Sequence, residues 1–566
     1  MARKQELQSI EHPDAFPASE AFPPLRKRGI RKDSGFRLRS PLRRLSVAAA
    51  FALLVAGPVQ SADRFAIAGY DVPEAGEFIG AEELAETLKP FTGPDKDFEA
   101  IQGAVEAVEK LLARRGHSTA RVILPEQEVD NGRIRLDIVV AVLGRIDVEG
   151  QKHYDEANIR ASVPALVVGV PPDMRDISAA LRIANENPSK QTRLVFRQSK
   201  KEGEIDALLR VADESPVRFG ASLDNTGSAA TGSYRLAIFG QHSNLWNGDH
   251  ALSAQVVTSP GHVSDVKILG LGYRIPLYAW GDSIDLAFAY SSVDSGTVKS
   301  VAGDFSIGGS GRIASLRYNH ALPRLWEIEH KLILGLDQRA YGSEVTPAGG
   351  GSSLVPDITV RPASIAWVPA LRLESVDLSG SLAYLRNIPG ASNGERSDFA
   401  QPGLRQGASP KFHMIRYGGS ATLRLAGDWQ LRASGNGQWT PDMLVSGEQF
   451  GIGGADSVRG FGERIVAKDI GARGSLELVS RDYGSLLGLD GIGLRGSAFM
   501  DTAKVRLNHP QPGELQTERL TSAGIGARFS FGRNVFGRLD LARTLNAESG
   551  HKAGHHRMHG QLVAVF

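Results

Sequence analysis

The chain contains 566 residues, of which 42% are hydrophobic and 23% are charged, and its formal net charge is +2 at pH 7. A balance so close to neutral gives no support for binding to nucleic acid. Beyond its N-terminal region the sequence lacks the apolar runs of about 20 residues that a multipass helical membrane protein needs. It also contains no cysteine, which excludes a disulfide framework.

The N-terminal region carries the features of a secretory signal. Residues 45–59 form an apolar run, two arginines precede it, and small residues follow it up to Ala62. We therefore predict a leader and signal peptide over residues 1–62, with an internal buried helix as the alternative. Residues 1–44 are rich in arginine and proline. They are either an extended leader or the product of a start codon assigned too early.

Residues 63–142 have the pattern of a small α/β module. The sequence predicts a strand at 65–67, a helix at 82–88, and a second helix that begins at residue 98 and ends at Gly116. Two strands follow, at 121–124 and 132–139. The order is therefore strand, helix, helix, strand, strand.

The same order repeats in residues 143–214. Strands are predicted at 144–149, 192–197 and 204–211, and helices at 155–161 and 175–185. Two copies of about 75 residues indicate a tandem repeat of small α/β modules. A single α/β domain of about 150 residues is the alternative.

Residues 215–566 consist almost entirely of alternating strands. Ile284, Leu286 and Phe288, for example, share one face, whereas Asp285 lies on the other. This alternation suits a strand with lipid outside and a polar or small-residue lumen inside. Sixteen such segments can be marked, and the last ends in Phe566. We predict a mainly β fold, a 16-stranded antiparallel transmembrane β-barrel preceded by two α/β modules, with a soluble β-sandwich as the alternative.

A glycine-rich segment at 441–470 places Arg459 beside Gly460, where the backbone can turn sharply. By strand parity, Asp501 and Phe499 face the lumen from one strand and Glu477 faces it from the preceding strand. An arginine–carboxylate pair screened from water would hold this segment inside the barrel. The alternative is an arginine that caps an exposed loop.

Four histidines near the C terminus suggest a metal site, but a mobile, solvated external loop between the last two strands is the favoured interpretation. They are His551, His555, His556 and His559. No carboxylate or cysteine stands among them. The glycine-rich segment lacks the lysine of a phosphate-binding loop, and the spacing yields no set of nucleophile, base and orienting residue. We therefore expect no metal, no cofactor and no enzymatic activity.

These features resemble the TpsB family, the outer-membrane transporters of two-partner secretion that export haemolysins and filamentous adhesins. The resemblance covers about residues 64–566. The sharpest match, to the family's signature between barrel strands eleven and twelve, consists of Val458, Arg459, Gly460 and Phe461. Weaker matches lie at 185–188, 469–471, 475–478 and 499–501.

The resemblance implies POTRA module 1 at 63–142, POTRA module 2 at 143–214, and a barrel at 215–566 with an inward loop at 441–470. The modules would lie in the periplasm and the barrel in the bacterial outer membrane. The loop motif would contact the lumen residues Asp501, Phe499 and Glu477. Well-known members carry a plug helix before the first module. Here the plug is absent, or part of residues 1–44 performs its role.

The implied function is export of a large TpsA-type exoprotein, which the POTRA modules bind, to the cell surface without ATP. Outer-membrane lipid and, during biogenesis, the barrel assembly machinery are the other implied partners, and nucleic acid is not a partner. An assembly factor that inserts other barrels is the main alternative, although such factors usually carry more modules. A passive porin or receptor is a second alternative, but it would not need the periplasmic repeats.

Overall fold

The computed structural model describes residues 64–129, 131–300, 303–347, 353–390, 392–484, 486–489, 491–547 and 553–566. The predicted leader and signal peptide therefore lie outside the described residues. Within these ranges no helix is long and apolar enough to cross a membrane. The chain forms two small α/β modules followed by a closed β-barrel, which confirms the predicted fold class.

The first module follows the predicted order and adds two short strands. Its elements are β1 (Phe65–Ile67), β2 (Gly69–Asp71), α1 (Ala81–Leu88), β3 (Gly93–Lys96), α2 (Phe98–Arg114), β4 (Ala120–Ile123), β5 (Arg133–Arg135) and β6 (Asp137–Val140). Helix α2 begins after Asp97, whose carboxylate accepts a hydrogen bond from the N–H of Ala100 at 3.1 Å. Val108 and Leu112 on its apolar face are fully buried.

The prediction of one continuous strand at 132–139 is wrong. Strand β5 pairs in parallel with β2, whereas β6 pairs antiparallel with β4. The chain changes partner at Leu136, whose side chain is fully buried and whose N–H donates to the carbonyl of Asp71 at 2.8 Å. Alternation of buried residues continues through Leu136, so the change of strand partner leaves no break in the sequence pattern.

The second module packs two helices on a three-stranded sheet. Its elements are β7 (Val142–Glu149), α3 (Glu156–Ala161), α4 (Met174–Ala184), β8 (Lys190–Gln198) and β9 (Glu204–Asp213). Strand β9 lies in the centre, parallel to β7 and antiparallel to β8. Ile159, Ile177 and Leu209 fill the core between the helices and the sheet.

The remaining strands build the barrel. They are β10 (Val217–Asp224), β11 (Arg235–Leu245), β12 (His250–Thr258), β13 (Val266–Leu277), β14 (Asp282–Ser300), β15 (Gly303–Ala321), β16 (Ile328–Pro347), β17 (Ile358–Val360), β18 (Pro362–Arg372), β19 (Val376–Asn387), β20 (His413–Arg424), β21 (Gln430–Trp439), β22 (Phe450–Ile452), β23 (Val466–Lys468), β24 (Ile470–Val479), β25 (Ile492–Arg506), β26 (Thr517–Phe531), β27 (Val535–Ala547) and β28 (His556–Val565). A four-residue helix, α5 (Arg396–Phe399), lies between β19 and β20.

Sixteen antiparallel strands close the barrel, as predicted. Strands β17 and β18 both pair with β16 and form one strand interrupted at Arg361, while β22 and β23 form a separate hairpin. Outward-facing and lumen-facing residues alternate: Leu286 and Phe288 are about two-fifths exposed, whereas Ala289 is buried.

The first and last strands close the barrel along a short seam. Five residue pairs join β10 to β28, compared with eight between β10 and β11. The backbones of Phe566 and Phe219 add two hydrogen bonds, and their rings lie 5.8 Å apart. We call the end of the barrel next to the second module the near rim and the opposite end the far rim.

Candidate functional site

The segment between β21 and β24, residues 440–469, folds into the barrel. We call it the inward loop. Its hairpin β22–β23 and its buried apolar residues pack against side chains on the lumen faces of β25 and β26. The loop residues are Ile452, Val458, Phe461 and Val466, and the wall residues are Ala503, Val505 and Leu520. The predicted motif residues Val458 and Phe461 therefore fasten the loop to the wall by apolar contact.

Arg459 lies at the centre of this contact and is 6% exposed. Its Nε and Nη2 atoms donate to the two carboxylate oxygens of Asp501 at 2.8 and 2.9 Å. The backbone N–H of Arg459 also donates to Asp501 at 3.1 Å, and Ser475 donates to the same carboxylate at 2.6 Å. Asp501 is fully buried. This bidentate geometry fixes both the position and the orientation of the guanidinium.

The other two predicted lumen partners also surround Arg459. The guanidinium carbon lies 3.3 Å from the ring centroid of Phe499, and Nη1 lies 3.8 Å from the carboxylate of Glu477. Asp540 on β27 is a further neighbour at 3.6 Å, which strand parity alone did not identify. Arg528 donates to both Glu477 and Asp540. The site is therefore a compact network of opposite charges.

One of the four C-terminal histidines belongs to this site, so its assignment to a solvated external loop is wrong. His559 lies in β28, is 3% exposed, and accepts a hydrogen bond from the N–H of Gly460 at 2.9 Å. Gly460 has a φ of 95°, which a residue with a side chain rarely adopts. His555 and His556 are exposed, and His551 lies outside the described residues.

A second charge network holds the start of the inward loop. Glu448 is 1% exposed and accepts hydrogen bonds from Arg339 at 2.9 and 3.1 Å and from Tyr341 at 2.9 Å. Arg339 also donates to Asp337 at 2.7 Å. These partners project from β16. The loop is therefore tied to a part of the wall that lies far along the chain from Asp501.

The end of the inward loop is tied to the far-rim loops through Asp469. This carboxylate is fully buried and accepts hydrogen bonds from the N–H groups of Leu444 at 3.0 Å and Asn508 at 2.7 Å. Arg405, in the loop between β19 and β20, donates to the same carboxylate. Sequence reasoning noted Asp469 only as part of a resemblance, because no local pattern indicates its remote partners.

A buried polar cluster joins the second module to the near rim. Lys190 at the start of β8 is fully buried, and its Nζ lies 2.5 Å from Asp249 and 2.7 Å from the Asn158 side chain. Asp249 also accepts hydrogen bonds from Asn158, Asn187 and Tyr278. We call these five residues the rim cluster. Because Asp249 and Tyr278 belong to near-rim turns of the barrel, the cluster fixes the module against the barrel.

The electrostatics of the module follow from burial and hydrogen bonding. Burial lowers the pKa of the Lys190 ammonium, and the Asp249 carboxylate offsets part of that effect by raising it. Asp155 accepts hydrogen bonds from the backbone of Asn158 and from the side chain of Asn247, and these lower the pKa of its carboxyl. Asn247 lies in the turn between β11 and β12. Asp155 therefore adds a second contact to the barrel.

Comparison with known proteins places these features in a family. A model of the haemolysin secretion/activation protein ShlB/FhaC/HecB matches residues 203–529, which is more than half of the chain, and a model of the ShlB-type POTRA domain matches residues 65–140. The outer membrane transporter CdiB of Escherichia coli is 23% identical over 405 residues. That alignment covers 69% of this chain and 65% of the relative, slightly less than two thirds of its length.

Two further relatives support the match. Outer membrane transporter CdiB-2 of Burkholderia pseudomallei is 24% identical over 504 residues, which are 84% of this chain and 80% of that protein. The structure of CdiB from Escherichia coli superposes with a TM-score of 0.76 at 18% identity and covers 91% of this chain and 93% of that one. The modules and the barrel are therefore shared with a solved structure.

Proposed function

We propose that this chain, which belongs to the haemolysin secretion/activation protein family of ShlB, FhaC and HecB, exports a large TpsA-type exoprotein from the periplasm to the cell surface. Family membership supports the role of an outer-membrane transporter with its modules in the periplasm, and in this proposal the far rim lies outside the cell. The observation that carries the proposal is the inward loop, held in a closed barrel by Arg459 on Asp501.

The two periplasmic modules are the proposed binding site for the exoprotein. In the second module β9 is paired on both sides, so β7 and β8 are the edge strands of the sheet. An extended segment of an unfolded exoprotein can add to such an edge through backbone hydrogen bonds, with little demand on its sequence. The rim cluster would hold that edge beside the barrel entrance.

The inward loop is the proposed closing element of the channel. Its apolar residues fill space beside the β25–β26 wall, and its three charge contacts, at Glu448, Arg459 and Asp469, tie it to separate parts of the barrel. An exoprotein can pass only if this loop shifts. The proposed cycle therefore begins with engagement of the modules and continues with release of the Arg459 contact.

Secretion by matched variants tests the proposal. The chain is expressed with candidate large exoproteins, and the released fraction is measured with and without it. Arg459→Ala leaves the Asp501 carboxylate buried without its cation. This should destabilise the closed position of the loop by about 3–5 kcal/mol. We expect a barrel that still inserts but exports at least about tenfold less exoprotein, because a loop without this contact does not return to the closed position from which each export cycle begins.

Arg464→Ala is the control. This arginine lies in the same loop, but it donates to the backbone carbonyls of Ser446 and Gln449. We expect nearly normal export from that variant. Normal export by Arg459→Ala, with normal levels of inserted barrel, would contradict the proposed role of the loop. If deletion of the whole chain instead depleted other outer-membrane barrels, the assembly-factor alternative would replace export.

A further inference from the structure

The far-rim ends of β25 and β26 carry three cations on the lipid-facing side of the barrel. Lumen-facing residues of β25, such as Asp501 and Val505, are buried, so Lys504 and Arg506, at alternate positions, face outward and are exposed. On β26, Arg519 follows the buried Glu518 and is exposed in the same way.

These cations lie at the height of lipid headgroups. Arg506 is the last residue of β25, and Lys504 lies two residues, or about 7 Å, inside that end. Arg519 is the third residue of β26. Deeper on the same outward faces, Met500 is 51% and Ile525 is 64% exposed, as expected for contact with acyl chains.

The arrangement leaves positive charge uncompensated. Lys504 and Arg519 are directly opposite each other in the β25–β26 pairing, where like charges repel. Within the described residues, the side chains of Lys504, Arg506 and Arg519 make no hydrogen bond or ion pair. The outward faces of β24, β25 and β26 carry no aspartate or glutamate in the same part of the chain. An anion from outside the protein would relieve the repulsion.

A groove of small residues runs beside the cations. Its floor is formed by Ala472, Gly474 and Thr502, and Lys504 and Arg519 line its edge. We call this surface the basic groove. We propose that the basic groove binds a phosphorylated glycolipid of the outer leaflet, of the lipid A type, with its phosphate between Lys504 and Arg519 and an acyl chain along the groove floor. This use of the barrel wall is separate from exoprotein export.

Two features favour this ligand over other anions. The oxygen atoms of one phosphate group can accept charge-assisted hydrogen bonds from Lys504 and Arg519 at the same time. The outward-facing apolar side chains next to the cations favour a ligand that also carries acyl chains, and inorganic phosphate carries none. The far-rim position selects a lipid of the outer leaflet, because the periplasmic leaflet meets the opposite end of the same strands.

Lipid titration followed by native mass spectrometry tests the inference. The delipidated full chain in detergent is titrated with bisphosphorylated lipid A, dephosphorylated lipid A, phosphatidylglycerol and inorganic phosphate. We expect one tightly bound bisphosphorylated lipid A, and at least about tenfold weaker binding in the variant K504Q/R519Q, because two charge-assisted contacts are lost. The dephosphorylated lipid and inorganic phosphate should bind at least about tenfold more weakly than bisphosphorylated lipid A.

Arg386→Gln is the matched control. Arg386 is also an exposed, outward-facing cation near the far-rim end of its strand, β19, but Ala363 and His413 stand opposite it. Its loss should leave binding unchanged. The proposal is overturned if K504Q/R519Q binds like the wild type, if R386Q loses as much affinity, or if phosphatidylglycerol or inorganic phosphate binds equally well. Heat-dependent gel mobility confirms that each variant is folded, and R519Q replaces the double variant if that one does not fold.

Discussion

Replacing Lys190 by methionine should loosen the second module from the near rim of the barrel. Methionine approximates the length of the lysine side chain but carries no charge, so it removes the cation from the rim cluster with little change in volume. Asp249 then remains 5% exposed without its ion-pair partner. A buried charge left in this way strongly destabilises the contact that encloses it.

The magnitude follows from what Asp249 retains. Breaking a buried ion pair by removal of one partner typically costs about 3–5 kcal/mol. Asn158, Asn187 and Tyr278 still donate to the carboxylate, so we expect the lower end, about 3 kcal/mol. This corresponds to roughly a hundredfold decrease in the ratio of docked to undocked module. Adding Asp249→Asn removes the second charge and should restore most of the docking.

Pulsed electron spin resonance can measure the docking directly. Because the chain contains no cysteine, single cysteines introduced at the exposed Glu202 and Arg324 would carry spin labels without further engineering. Glu202 lies in the turn between β8 and β9, and Arg324 lies in the near-rim turn between β15 and β16. We expect one narrow distance distribution in the wild type and a broad one in Lys190→Met.

An unchanged, narrow distribution in Lys190→Met would refute the reasoning, because it would show that the ion pair is not needed for docking. A broader distribution in Lys190→Met combined with Asp249→Asn than in the single variant would also refute it, because the unpaired carboxylate would then not be the cause of undocking. Lys201→Met is a suitable control. That lysine is also in the second module, but its side chain is 79% exposed and pairs with Glu204 within the module.

Three further predictions concern other contacts. Glu448→Gln should weaken the hold of Arg339 on the inward loop and increase the frequency of channel openings in planar bilayers, and an unchanged opening frequency would contradict this. Arg405→Ala should release the loop between β19 and β20 from Asp469, with hydrogen exchange at residues 396–404 rising at least about tenfold, and unchanged exchange would count against it. Hydrogen bonds from the backbone of Asn158 and from Asn247 lower the pKa of Asp155, and only the second crosses to the barrel, so its contribution to docking is present at neutral pH and is lost as the pH falls through the lowered pKa of the docked protein. Distance distributions that stay narrow throughout an acid titration to pH of about 2 would contradict this last prediction.

The barrel strands could be predicted from the sequence because their signal is local. Outward-facing apolar residues and lumen-facing residues alternate along each strand. The same alternation predicted that Asp501 and Glu477 face the lumen. Alternation also predicts an inward side chain at Asp540, but parity alone does not indicate which inward carboxylates contact Arg459. His559 was misassigned because it was grouped with the exposed His555, whereas it lies inside β28 and faces the lumen site.

The remote contacts could not be predicted, because only docking of the second module and insertion of the loop into the barrel bring them together. Glu448 and Arg339 are separated by 109 residues, and Lys190 and Asp249 by 59. No periodicity relates the members of such pairs. The break at Leu136 was missed for a related reason: alternation continues through it, and only burial in the module core reveals the change of strand partner.

The short seam between the first and last strands has a mechanical consequence. If a wide exoprotein stretched the barrel wall, the tension would act around the whole circumference. Each boundary between neighbouring strands would resist in proportion to the number of its backbone hydrogen bonds. Five residue pairs and the two backbone hydrogen bonds between Phe566 and Phe219 bear the load at this boundary, compared with eight residue pairs on the other side of β10. Of the two boundaries of β10, the one beside Phe566 will therefore yield first, and the contact between the rings of Phe566 and Phe219 opposes its opening.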